Sequence, residues 1–103
     1  MKKELFSIGE VSKIKGVTIK ALRFYEKIGL LKPHEVNPTN QYRYYHISQF
    51  IFLDIIKASR ALEISPNALI PYFQSKDTQG VLHLLSKHKQ LARLKMERLD
   101  EAM

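Results

Sequence analysis

Ser7-Ile8-Gly9-Glu10-Val11-Ser12-Lys13-Ile14-Lys15-Gly16-Val17-Thr18-Ile19-Lys20-Ala21-Leu22-Arg23-Phe24-Tyr25-Glu26-Lys27-Ile28-Gly29 is the stretch whose reading decides the fold. Ser7 and Glu10 stand three apart, the spacing of a capping box in which the serine hydroxyl serves the backbone of residue 10 and the glutamate reaches back. A helix is expected to start there. Ile8, Val11 and Ile14 give it an apolar stripe, and Gly16 can adopt the left-handed conformation that stops it. Thr18 is then placed to cap a second helix, Ile19 to about Ile28, ended by Gly29. Two short helices joined by a tight turn containing glycine are the signature of a helix-turn-helix.

On a helical wheel the second helix divides into two faces. Ala21, Leu22, Tyr25 and Ile28 gather on one side as core, while Lys20, Arg23 and Lys27 gather opposite, flanked by Ile19 and Phe24. Cations beside an aromatic edge suit the major groove of duplex DNA, where they meet phosphates, guanine edges and thymine methyl groups. A merely solvated face is the alternative. Charge favours the first reading. The chain has 103 residues, 17 Lys/Arg against 10 Asp/Glu, a net charge of +7 and a pI near 9.7. Residues 1–50 hold nine of the cations against four carboxylates, residues 51–75 two against two, and residues 76–103 six against four. A basic N-terminal half points to a polyanion-binding face.

Outward from this pair, residues 30–46 lose helical periodicity, contain Pro33 and Pro38, and end in Tyr42-Arg43-Tyr44-Tyr45. They predict a two-stranded hairpin turning near Asn37-Pro38-Thr39-Asn40. Ser48 is expected to cap a third helix with a broad apolar surface of Ile51, Leu53, Ile55, Ile56 and Leu62. Ser65-Pro66 opens a short fourth helix, with Pro71 interrupting its run. A core for the N-terminal half is expected from Val11, Leu22, Ile28, Leu53 and Ile56. From about Thr78 onward no proline occurs, and Val81, Leu84, Leu85, His88, Leu91, Ala92, Met96, Leu99 and Ala102 share one helical stripe. At ~1.5 Å per residue this helix would reach roughly 35–40 Å, more than the small domain before it covers. It is expected to project and pair with another chain, the alternative being a helix folded back on its own core.

Several function classes fall away. With no cysteine there is no disulfide framework, thiolate nucleophile or cysteine-based metal centre. No signal-peptide or membrane-length apolar run is present, so a cytosolic address without membrane contact is expected. No paired carboxylates, nucleophile-base pair or glycine-rich phosphate loop marks an enzyme, and no cofactor is expected. His34 and His46 flank the hairpin, and His83 and His88 stand five apart, a poor spacing for two ligands on one helical face. Structural or solvent roles are expected for all four. Phe50, Phe52, Tyr72 and Phe73 read as core.

The motifs Ser7-Ile8-Gly9-Glu10-Val11, Thr18-Ile19-Lys20-Ala21-Leu22-Arg23-Phe24-Tyr25-Glu26, Gly29-Leu30-Leu31-Lys32-Pro33 and Tyr42-Arg43-Tyr44-Tyr45 resemble the MerR family of bacterial transcription regulators. The spacing from Pro33 to the tyrosine run is most similar to its multidrug-responsive branch. The resemblance implies a mainly α fold: a winged helix-turn-helix with a small β-hairpin wing, then a long C-terminal coiled-coil helix. It divides the chain into a DNA-binding domain over 1–75 and a dimerisation helix over 76–103.

By the same resemblance Thr18, Lys20, Arg23 and Phe24 would contact double-stranded promoter DNA from the recognition helix, joined by Lys27 of its cationic face, and Tyr42, Arg43 and Tyr45 would do so from the wing. Leu84, Leu85, His88, Leu91, Ala92 and Leu99 would form the homodimer interface. The implied function is binding of an inverted-repeat promoter site by the homodimer, with distortion of the DNA that lets RNA polymerase engage. Phe24 stands where the family more often has tyrosine, and Glu35-Val36 and Gln41 where many members have arginine and glycine. The family's sensor lies C-terminal to the coiled coil, so no effector pocket is expected within these residues. The competing function is an architectural, excisionase-like DNA-binding factor without a promoter role, against which the long terminal helix argues.

Overall fold

A computed structural model describes residues 3–102, with side chains described for residues 3–98. Strand β1 (Leu5–Ser7) leads directly into helix α1 (Ile8–Lys15), followed by α2 (Ile19–Lys27). Strands β2 (Glu35–Val36) and β3 (Arg43–His46) come next, then a 3-10 turn at Ile47–Gln49 and helices α3 (Phe50–Ala61), α4 (Pro66–Gln74) and α5 (Thr78–Ala102). The chain divides into two compact units, residues 1–55 and 56–103, with the boundary inside α3.

In the first unit the caps fall where the sequence places them. Ser7 Oγ accepts from the Glu10 N–H at 3.2 Å, and the Glu10 carboxylate accepts from the Ser7 N–H at 2.9 Å. The Lys3 ammonium bonds the same carboxylate, and this contact first, the Ser7 backbone second, holds the Glu10 carboxyl below its usual value. Gly16 ends α1 at φ 64°, the left-handed region that costs glycine least. Thr18 Oγ1 accepts from the Ala21 N–H at 3.0 Å and starts α2, which ends at Ile28.

The sheet has three strands in the order β1-β3-β2, all antiparallel, where two were expected. Phe6 faces Tyr45 across β1 and β3, and Val36 faces Arg43 across β2 and β3. The hairpin turn sits where expected. Asn37 Oδ1 accepts from the N–H groups of Thr39 and Asn40, a side chain imitating a backbone turn. Gln41 then takes φ 62°, a left-handed conformation that a residue with a Cβ adopts at a cost.

Three expectations need correction here. The cap before α3 is His46, not Ser48: His46 Nδ1 accepts from the Ser48 N–H at 3.1 Å, Gln49 Oε1 accepts from the His46 N–H at 2.9 Å, and the helix starts only at Phe50. Ile14 is exposed rather than part of a buried stripe, and Ile51 and Phe52 likewise face outward from α3. Ile28, at the end of α2, is only half-buried. Val11, Leu22 and Leu53 are buried as expected, Val17, Tyr25, Leu30, Leu31 and Tyr45 join them in the unit's core, and Ile56 is buried but falls in the second unit.

The second unit buries Ile56, Ser59, Ile64, Leu69 and Val81. Ser65 caps α4 with Pro66 in its first turn, and the helix continues through Pro71, whose carbonyl accepts from the Ser75 hydroxyl at 2.8 Å. α5 runs for 25 residues, its early stripe positions Val81, Leu84 and Leu85 buried or half-buried, its later stripe positions Leu91 and Met96 exposed, and Leu94, outside the stripe, exposed as well. No helix among the described residues is long and apolar enough to cross a membrane.

Candidate nucleic-acid interface

The two faces expected of α2 are present. Leu22 and Tyr25 are buried, while Lys20, Arg23 and Lys27 are exposed and Phe24 is 45% exposed beside them. The capped first turn keeps Thr18 at the outer end of the same helix, where it too is exposed. The faces separate because a period of 3.6 residues puts positions 20, 23, 24 and 27 together and positions 22 and 25 opposite.

Beside α2 stands the wing. Tyr42, at the end of its turn, is 62% exposed, its N–H donating to Asn40 Oδ1 at 2.9 Å. Arg43 is half-buried, and its Nε donates to Glu26 Oε1 of α2 at 2.5 Å. Neither the ion pair nor the role of Glu26 was visible in the sequence, because the partners are 17 residues apart on elements of different type. An open cleft of about 250 Å³ separates the wing from the helices, lined by Ser7, Ile8, Arg23, Gln41, Tyr42 and Arg43. Thus Arg23 and Arg43, assigned to different elements, border one concavity.

Tyr45 does not belong to this surface. It is 0% exposed, its ring enclosed in the first unit's core and its hydroxyl without a hydrogen-bond partner among the described residues. Burial, with the Glu26 carboxylate adding and Arg43 opposing, pushes that hydroxyl up to about 12 from an ordinary value of 10. Its expected role in DNA contact is therefore replaced by a packing role.

Three of the four histidines make contacts within the chain, and His83 is exposed. His34 and His46 pack ring against ring at 5.3 Å between centroids, and His88 Nδ1 lies 3.0 Å from the Leu84 carbonyl. Among the described residues no cluster of three or more His, Cys, Asp or Glu could hold a metal ion. In the second unit an open cleft of about 360 Å³ is lined by Ala61, Leu62, Glu63, His88, Leu91, Ala92, Lys95 and Met96. Leu84, Leu85 and His88 are half-buried, Leu91 is 53% exposed and Ala92 is exposed, so the stripe expected to dimerise turns outward along its length. The Leu99 side chain lies outside the described residues.

Comparison with known proteins places this geometry. The chain is 38% identical, over its whole length, to the multidrug-efflux transporter 1 regulator of Bacillus subtilis, and spans 42% of that relative. A crystal structure of a MerR-family transcriptional regulator from Bacillus cereus superposes with a TM-score of 0.72 at 25% identity, covering 95% of this chain and 74% of that one. The regulator EcmrR, seen in complex with DNA, superposes with a TM-score of 0.66 at 31% identity over 94% of this chain and 38% of its own. The model of the MerR family regulatory proteins matches residues 7–45, the capped helix pair and the wing as far as Tyr45, and the chain belongs to that family.

Proposed function

We propose that this chain acts as a sequence-specific DNA-binding transcription regulator, one that binds an inverted-repeat promoter site as a homodimer and distorts the duplex where RNA polymerase engages. The observation that carries this reading is the exposed set Lys20, Arg23, Phe24 and Lys27 on a helix whose opposite face is core, with Tyr42 and Arg43 on a wing beside it. The name of the Bacillus subtilis relative, a regulator of an efflux transporter, and the DNA complex of EcmrR support promoter control as the activity. Residues 1–75 serve as the DNA-binding part and residues 76–103 as the dimerisation helix, through Leu84, Leu85, His88, Leu91, Ala92 and Leu99. The outward-facing stripe residues Leu91 and Met96 support a second copy as the partner of α5, since a lone helix gains nothing from exposing them.

A binding titration with Arg23→Ala tests the recognition helix. Reading a base edge is worth about 1–3 kcal/mol, so the variant should lose that much on a cognate inverted repeat and lose preference for the repeat over random duplex. Equal affinity of variant and parent for both duplexes would remove Arg23 from recognition.

A further inference from the structure

Glu26 is out of place on a surface that meets polyanions. It lies on α2, the helix that carries the exposed cations, and its charge opposes any phosphate brought to Arg23 or Arg43. Its carboxylate is nevertheless committed: Oε1 accepts from Arg43 Nε at 2.5 Å, with both side chains about one-third exposed or less. Engagement through Nε leaves the remaining guanidinium N–H groups outside that bond, and Arg43 borders the same 250 Å³ cleft as Arg23. An unrestrained arginine loses rotamer freedom when it closes on a phosphate, whereas one already held by a carboxylate has lost it in advance.

We propose that Glu26 is a positioning residue for DNA binding, fixing the Arg43 guanidinium at the cleft so that Arg43 receives a backbone phosphodiester beside Arg23. The proposal rests on the DNA-binding reading above. It makes a prediction opposite in sign to simple electrostatics. Removing a negative charge from a DNA-facing surface strengthens binding if charge alone matters, but weakens it if the charge holds a cation in place.

The test is a double-mutant cycle in duplex-binding titrations, with thermal melts of every variant. Glu26→Ala should weaken binding by about two- to tenfold, the cost of immobilising one long side chain on binding. In an Arg43→Ala background, where nothing remains to position, the same change should leave affinity unchanged or raise it. Glu26→Gln, which keeps an acceptor for Nε without the charge, should restore binding to the parent level or better. Tighter binding by Glu26→Ala in the parent, or weakening by the same factor in both backgrounds, overturns the positioning role while leaving DNA binding intact. A parent chain that binds no duplex overturns both readings together. Should Glu26→Ala lose its melting transition, Glu26→Asp decides the question: charge is unchanged and reach is shorter, so weaker binding supports the role and unchanged binding overturns it.

Discussion

Tyr45 shows how far a single residue's surroundings can depart from its sequence neighbourhood. Tyr42 and Tyr45 stand three apart, and in an extended strand residues three apart point to opposite faces. One of the pair reaches solvent while the other fills the core, a division the alternation already contains but a motif match alone obscures. A raised hydroxyl has a consequence for stability. Below pH 10 both folded and unfolded Tyr45 keep the proton; between 10 and about 12 the unfolded chain releases it while the folded chain retains it, so stability falls as pH rises through that window. Tyr45→Phe removes that component and also an unpartnered buried hydroxyl. Thermal melts from pH 9 to 12 should therefore show a smaller loss for Tyr45→Phe than for the parent, with the variant equally or more stable at neutral pH. Parallel losses in the two proteins would place the hydroxyl in water.

Elements were readable wherever a local chemical signal marks an end. Ser7 with Glu10, Gly16, Thr18 and the Ser65-Pro66 pair each start or stop a helix through groups within four residues of one another, and all did so in the structure. β1 escaped because it is three residues long and its last residue, Ser7, is also the cap of α1, so no alternation has room to develop. The His46 cap escaped because histidine is rarely read as a capping residue, although its Nδ1 accepts a backbone N–H as a serine hydroxyl would. The capping box of α1 is the most exposed of these assignments to experiment. Ser7→Ala should lower the unfolding free energy by about 1 kcal/mol in urea denaturation, within the usual range for a lost N-cap. No change would mean that the Glu10 and Lys3 contacts suffice to start the helix.

At the scale of the whole molecule, what remained beyond the sequence is the long-range pairing: Glu26 with Arg43 across the wing, and β1 with β3 beneath it. Patterning nonetheless placed α5 and its stripe, because 25 residues without proline give seven turns over which a periodic face declares itself. If that face meets a second copy, Leu91→Asp puts a carboxylate from each protomer into an apolar seam. Sedimentation should then report a monomer with near-parental helical circular dichroism, and a persistent dimer would place α5 on its own chain. Duplex binding itself is most directly tested by salt. A dimer whose recognition helices and wings neutralise about eight phosphates should show log affinity falling against log salt with a slope near −7. Titrating the protein with duplex DNA across about 50 to 200 mM salt measures that slope; a steep fall of roughly this size is expected, and a slope near zero would contradict a phosphate-binding surface altogether.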